Sequence, residues 1–424
     1  MALTSGTTAG WIAGRRASGH SSHLDALASE EDEVQIDLNK LENPSVLHIC
    51  TRYMTGGSEQ RIRDICRALP NAKHTIVIGR DSSPDLLRRQ LPFAEVVVER
   101  SLCRELRPIS DLKSTARIRR LIATGDYHVV ITHQSKAGVL GRVAAGISSR
   151  VPVVHSLSMA SFGKGYSGIE SVIFSRVERW LSRWTDAYLV VGRDLARRFE
   201  LNGIDPKKLI VVRSAVTLPD PDLCSAGARS RAAELHDLPL DRPWILYLGS
   251  LDDRKNVMSL PIMFQQVLLR TSTQPLLLLV GEGPRRQDVE AMINQIGLGD
   301  DTRVLGYVNN PNDLVAGSDV VVLLSKSEGL PQVLVQAAAA GTRFVATDVD
   351  GVDELFDLGA EGTVVDHGDV LAAACETARY LNSPIPPSGG SSRVDLESWH
   401  KDKIASAYSE ILTSVIQRRH NNSR

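Results

Sequence analysis

Three short segments hold the residue types that chemistry needs. The first runs Ser325-Lys326-Ser327-Glu328-Gly329-Leu330-Pro331-Gln332. It follows a continuous apolar run and precedes a helical pattern, so it is read as a strand-to-helix turn. Pro331 suits the first position of that helix, where a missing N–H costs nothing. The free N–H groups and the positive end of the helix dipole then form a site for an anion. Glu328, just ahead of it, would repel a phosphate and is better suited to gripping hydroxyls, as on a sugar. Taken alone, it reads more simply as an acidic residue stabilising a helix N-terminus. The second segment, Leu248-Gly249-Ser250-Leu251-Asp252-Asp253-Arg254-Lys255-Asn256, reads as a strand and a short loop. A Lys or Arg at a strand's carboxyl end reaches a diphosphate, although a single loop lysine is more commonly just solvated. The third, Arg52-Tyr53-Met54-Thr55-Gly56-Gly57-Ser58-Glu59, follows the first apolar run. Paired glycines let backbone approach a ligand closely. This is not a G-x-G-x-x-G fingerprint, and no acidic ribose ligand follows at the usual spacing, which disfavours a nicotinamide enzyme. Gly281-Glu282-Gly283-Pro284 is too short to be a fingerprint and by itself reads as a turn.

The elements that must position these loops recur in two halves. Short apolar runs at 46–50, 75–78, 128–131, 151–154, 187–191 and 209–212 are the strand candidates of the first half. Those at 244–248, 275–280, 303–305, 319–323 and 343–346 serve the second. Such runs fit strands buried on both faces of a parallel sheet, and amphipathic helical segments separate them. The fold expectation is α/β: two tandem Rossmann-like, doubly wound domains whose ligand lies in the cleft beyond the strand ends. The expected boundaries are an extension at 1–44, a first domain at 45–217, a Pro-bearing linker at 218–242, a second domain at 243–381, and a segment with a final helix at 382–424 that packs back on the first domain.

The 424 residues are too many for one core, and their 49 basic and 50 acidic side chains leave a formal charge of −1. That balance argues against a nucleic-acid binder. It conceals an asymmetry: residues 46–217 carry 28 basic and 15 acidic side chains, residues 243–381 only 9 and 19. Five cysteines, an odd number without a C-x-x-C pair, argue against a disulfide framework or a zinc cluster and for a reducing, cytoplasmic setting. No run is apolar enough to span a bilayer, and the first 44 residues lack the apolar stretch of a secretory signal. Basic residues at Arg88, Arg89, Arg100, Arg104, Arg107, Lys113, Arg117, Arg119 and Arg120 can face an anionic membrane or simply be a solvated surface. Trp180 and Trp184, at i and i+4, read as a core stripe rather than an interfacial anchor.

Together these segments resemble the retaining nucleotide-sugar glycosyltransferases of family 4, of GT-B architecture, from about residue 46 to the last helix. The resemblance is carried by Gly56-Gly57-Ser58-Glu59, by the stretch from Thr132 to Arg142, by His155 after an apolar strand, by Gly281-Glu282-Gly283-Pro284 and Gly306-Tyr307-Val308, and most specifically by Glu328-Gly329-Leu330-Pro331. It implies that Glu328 bonds the donor sugar's hydroxyls and that backbone N–H groups at Gly329 and Leu330 hold the diphosphate. Lys255 would neutralise that leaving group, and Gly57, beside Gly56, would cap it from the other domain. His155 would touch sugar or acceptor, and Gly281, Glu282 and Gly306 would line the nucleotide side. It also implies no bound metal, no cofactor beyond a UDP- or GDP-linked donor, and no covalent protein nucleophile. The acceptor would be a hydroxyl of a lipid-linked saccharide or natural product, reached with peripheral contact at the inner membrane face.

Two departures bear on this. Ser250 stands where the family has an arginine, and Arg254 is the candidate replacement. Gln336 stands where a second carboxylate usually binds ribose, and as a neutral acceptor it bonds more weakly. Asp350-Gly351 replaces a glycine pair, and Ser214-Ala215 replaces an Asn-Gly. Asp348-Val349-Asp350 mimics a metal-binding D-x-D motif, a weak signal when isolated. A nucleotide-sugar epimerase of the same architecture and a non-catalytic partner subunit are the alternatives.

Overall fold

The computed structural model describes residues 44–54, 57–148, 151–163, 166–216, 227–383 and 396–421. The first half holds seven strands: β1 (Ser45–Cys50), β2 (Lys73–Gly79), β3 (Glu95–Glu99), β4 (Val129–His133), β5 (Val153–Leu157), β6 (Ala187–Val190) and β7 (Leu209–Val211). Its helices are α1 (Gly57–Ala68), α2 (Pro84–Gln90), α3 (Pro108–Thr124), α4 (Ser135–Ser148), α5 (Gly168–Leu181) and α6 (Arg193–Leu201). The second half holds β8 (Trp244–Leu248), β9 (Leu276–Val280), β10 (Thr302–Gly306), β11 (Val320–Leu323), β12 (Phe344–Thr347) and β13 (Gly362–Val365). With them run α7 (Ala228–His236), α8 (Ser259–Leu268), α9 (Arg286–Gln295), α10 (Asn312–Gly317), α11 (Gln332–Ala340), α12 (Val352–Asp357) and α13 (Val370–Asn382), and α14 (Lys401–Asn421) closes the chain.

The strands form two parallel sheets, ordered β3-β2-β1-β4-β5-β6-β7 and β10-β9-β8-β11-β12-β13. In each, the order reverses beside the first strand of its half, which creates a crevice at the carboxyl edge. The continuous apolar runs are explained by helices on both faces. Along β8, Trp244 and Leu246 enter one buried cluster with Leu334 and Leu355, while Ile245 and Tyr247 enter another with Phe264 and Ala374. That alternation is the two-residue period of a strand.

Two strands were not legible as apolar runs. β3 carries a Glu at each end and β13 opens on Gly362, and both lie at sheet edges, where one side of the ladder has no neighbour and burial is partial. β5 begins two residues later than its apolar run suggests. Trp180 is no core residue: it stands exposed, edge-on to Trp184 with ring centroids 4.6 Å apart, and Arg183 lies over both rings.

The halves are joined by packing and by charge. One buried cluster runs from Leu157, Phe162 and Phe199 to Leu330, Val349 and Val352. Around it, Arg198 pairs with Asp350 at 2.5 Å, Arg193 with Asp357 at 2.7 Å, and Arg213 with Glu354. Glu354 also accepts the Arg193 N–H at 2.5 Å, which caps α6, whose own cap residue is Gly192. Asp194 in turn accepts the Gly351 N–H at 2.9 Å. Each cation comes from the basic half and each carboxylate it pairs with from the acidic half, so the charge asymmetry of the sequence is in part the imprint of this seam.

After the second sheet is complete the chain returns to the first. Ile404, Tyr408, Leu412 and Val415 form one stripe on α14, buried against Val46, Ile65, Leu69 and Val129. Trp399 is buried at the crossing, with the Arg213 guanidinium over its ring at 4.8 Å. Leu412→Ala opens a cavity in the first lobe's core and is expected to lower its stability by about 2–5 kcal/mol. Thermal unfolding followed by circular dichroism should show a lowered first transition.

Candidate functional site

The loop after β8 is shaped before it meets any other segment. Tyr247 Oη donates to the Ser250 carbonyl at 2.7 Å, and Asp252 Oδ1 accepts the Lys255 N–H at 2.9 Å. Asn256 adopts a left-handed conformation with φ of 53°, which Asn tolerates better than most residues. The turn brings two consecutive cations toward the loop after β11. There the Lys326 N–H donates to the Arg254 carbonyl at 2.8 Å, and the Arg254 guanidinium donates to the Ser327 carbonyl at 3.1 Å.

Glu328 sits between these cations. Lys255 Nζ lies 2.6 Å from Oε1, and Arg254 donates to Oε2 at 3.1 Å. The carboxylate is nearly buried, with its side chain 10% exposed. Burial pushes its pKa up, but Lys255 and then Arg254 outweigh burial, and the carboxyl lies below its ordinary value. An ionised acceptor and two cations thus converge at the entrance of α11. That helix begins at Gln332, so Pro331 is its cap residue, one position earlier than the sequence suggests.

Gly329 has a reason to be glycine. A Cβ there would lie 2.0 Å from the Ser158 carbonyl oxygen. Ser158 directly follows β5, so the carboxyl edges of the two sheets meet at this contact. On the second lobe, a Cβ at Gly281 would lie 1.9 Å from the Gly249 carbonyl, and the Gly281 N–H donates to the Gly306 carbonyl at 2.7 Å. The loops after β8, β9 and β10 therefore stack closely. Leu330 is buried in the interlobe cluster. The Glu282 side chain turns away to pair with Arg286. Gln336 donates to Asn312 Oδ1 at 3.2 Å.

In the first lobe, Gly56 lies outside the described residues, and Gly57 opens α1 after β1. Glu59 accepts the Met54 N–H at 3.3 Å and braces that loop. Gln134 was missed by sequence reasoning as a support. Its amide accepts from the Arg52 N–H at 3.2 Å and donates to the Arg52 carbonyl at 2.9 Å, with the residue itself held at φ 65°. Nothing in its residue type announces that strained conformation. Arg198, Asp350 and Glu354 were missed as interlobe pairs, and the signal that could have found them was the opposite charge of the halves.

The structure corrects the placement of His155. It lies within β5 rather than at its end, and its side chain is fully buried on the face covered by α4. Nδ1 is 2.8 Å from Thr132 Oγ1 and 3.2 Å from the Thr132 carbonyl. A Cβ at Gly138 would come within 2.4 Å of the ring. Burial, and then the nearby Arg142, drive its pKa well below the ordinary value, so the imidazole is neutral. Asp350, half of the apparent D-x-D, is held by Arg198.

Two parallel Rossmann-like sheets with facing carboxyl edges define the GT-B architecture. Residues 56–215 match the family described as a glycosyl transferase 4-like domain, and residues 229–394 match the glycosyl transferases group 1. The chain belongs to the GT-B glycosyltransferases. It is similar to the UDP-Gal:alpha-D-GlcNAc-diphosphoundecaprenol alpha-1,3-galactosyltransferase of Escherichia coli, 24% identical over 64% of this chain and 70% of that protein. It is similar also to the phosphatidyl-myo-inositol mannosyltransferase of Mycobacterium leprae, 26% identical over 64% and 68%. Its fold is that of Anabaena Alr3699/HepE, solved in complex with UDP and glucose: TM-score 0.62, 19% identity, 90% of this chain and 98% of that one covered.

Because Glu328 is ionised below the ordinary carboxyl range, it stabilises the fold above that range, and this contribution is lost as pH falls through the depressed folded value. Lys255→Met leaves the carboxylate with Arg254 alone. At neutral pH its thermal midpoint should fall by the equivalent of up to about 3 kcal/mol, the lower end for breaking a buried pair. The gap from the unmodified protein should narrow as pH falls below about 4.5, through the ordinary carboxyl value toward the depressed folded one. A gap that stays constant in a series of melts would contradict the assignment.

Proposed function

We propose that this glycosyltransferase moves a hexose from a nucleoside-diphosphate sugar, UDP-linked in the first instance, to a hydroxyl of a lipid-linked saccharide, with retention of anomeric configuration. The observation that carries this reading is Glu328 poised between Lys255 and Arg254 where the sheet edges meet. A nucleotide-sugar donor presents hydroxyls and a diphosphate side by side. Glu328 accepts from sugar hydroxyls, and the two cations turn to the diphosphate. As the bond between anomeric carbon and phosphate oxygen breaks, negative charge builds on the phosphate and positive charge on the sugar ring. Lys255 and Arg254 favour the first, and Glu328 favours the second. The departing phosphate oxygen takes the acceptor's proton on the same face, so the new bond forms on the side that the old one leaves.

Arg254 occupies the place in this reading left by Ser250, since it reaches Glu328 as Lys255 does. Donor-side support comes from the UDP and glucose in the Anabaena complex, and acceptor-side support from the diphosphoundecaprenol and phosphatidylinositol in the two relatives' names. An apolar acceptor tail also suits the loop leading into α3 and that helix's first turns. There Leu106, Ile109 and Leu112 are exposed beside Arg104, Arg107 and Lys113, and basic residues near an anionic surface contribute about 1 kcal/mol each. Among the described residues no helix is long and apolar enough to cross a membrane, so peripheral contact fits better than spanning. The epimerase and partner-subunit readings gain no support from the relatives, which are transferases by name.

Acceptor-dependent UDP release should fall at least about 100-fold in Glu328→Ala, comparable to losing one electrostatic stabiliser of a transition state. Proton NMR of the product from an α-linked donor should show an α-linkage. Turnover should survive a chelator, since the proposed chemistry needs only protein cations. Full activity in Glu328→Ala would remove the site, and an inverted product would remove the mechanism while leaving the transferase.

A further inference from the structure

A second cluster of chemically capable side chains lies away from the cleft, inside the first lobe. His48 of β1, Cys66 of α1 and His74 of β2 are buried and turn their ligand atoms on one another. His48 Nε2 is 3.1 Å from His74 Nδ1 and 3.7 Å from Cys66 Sγ. All three ligand atoms lie within 4.8 Å of one another. We propose that these residues form a structural site for a thiophilic d10 cation, zinc(II) or copper(I), that braces β1, α1 and β2.

Geometry argues for it first. Metal–nitrogen bonds of about 2.0 Å and a metal–sulfur bond of about 2.3 Å at tetrahedral angles set nitrogens about 3.3 Å apart and sulfur about 3.6 Å from nitrogen. The observed 3.1 and 3.7 Å lie close to both. The surroundings argue for it as well. The Leu69 carbonyl can only accept, so at 3.1 Å it fixes the proton of His74 on Nε2 and leaves a lone pair on Nδ1 facing the junction. On the far side His48 Nδ1 meets His133 Nε2 at 3.2 Å. Each imidazole therefore has an outer partner that orients it, as ligating histidines do. Without a cation, the His48 Nε2 proton points to the His74 lone pair, beside the Cys66 thiol. One imidazole pair and one thiolate is a donor set favoured by soft and borderline cations.

Binding balances simply. Cys66 gives up its thiol proton to solvent as the metal–sulfur bond forms. The His48 proton moves from Nε2 to Nδ1, and the His133 proton from Nε2 to Nδ1, so that His48 now donates to His133. One proton leaves per cation bound. The cysteine spacing could not reveal the site, because its ligands come from three separate elements.

The test is metal analysis of full-length protein from cells grown with added zinc or with added copper. About one equivalent of either metal is expected in the wild type and in Cys50→Ser, whose thiol faces the Val77 carbonyl at 3.7 Å, and none in Cys66→Ser. The zinc and copper arms identify which cation the site takes. Wild-type protein stripped by chelation and titrated with cobalt(II) should gain a thiolate-to-cobalt charge-transfer band and a higher thermal midpoint, which keeps the test independent of how Cys66→Ser folds. No stoichiometric metal together with no cobalt band, or equal metal in Cys66→Ser, would overturn the proposal and leave the cluster a neutral hydrogen-bonded chain.

Discussion

A carboxylate withdrawn from water must be answered by positive charge, and in this protein one such carboxylate organises the cleft. Glu328 is nearly buried and touches both Lys255 and Arg254, which come from a different strand's loop. Removing either side leaves an unmatched charge in a region of low dielectric. The contact therefore ties the loop after β8 to the loop after β11. The same three groups are complementary to a hydroxyl-rich ring joined to a diphosphate. In the proposed reaction the cluster would exchange these partners for the donor's groups, which keeps reorganisation small.

The second constraint is that the two lobes must meet closely enough to enclose that cluster. Gly329 lies against the Ser158 carbonyl with no room for a side chain. Charge fixes the approach from the side: Glu354 and Asp350 of the second lobe hold Arg193, Arg213 and Arg198 of the first. Buried groups such as Glu354 set orientation more than they add stability, because desolvation offsets much of their attraction. The near-zero net charge of the whole chain conceals this arrangement.

Much of the fold was legible from residue patterns, because strands covered on both faces must be continuously apolar. Eleven such runs correspond to eleven strands. β3 and β13 escaped notice because edge strands are covered less completely and can carry charge or glycine. That Glu328 and Lys255 share one cleft was legible only through resemblance, since spacing cannot bring residues 73 positions apart together, and their ion pair was not read at all. His155 was misplaced because an apolar run shows that a strand exists but fixes its end only to within a residue or two. The supporting role of Gln134 was invisible, because a left-handed backbone at Gln leaves no trace in composition. The site residues assigned to ligand roles rest on resemblance and on this geometry together.

The excursion of α14 has a consequence for how the protein comes into being. Tyr408 and Leu412 complete a core whose other walls, Val46, Ile65 and Val129, emerge from the ribosome hundreds of residues earlier. During synthesis the first lobe has to wait with an apolar face uncovered until the second lobe has been made. Nascent chains of this protein are thus exposed to premature association for most of their elongation, and chaperone engagement should be concentrated on that waiting surface.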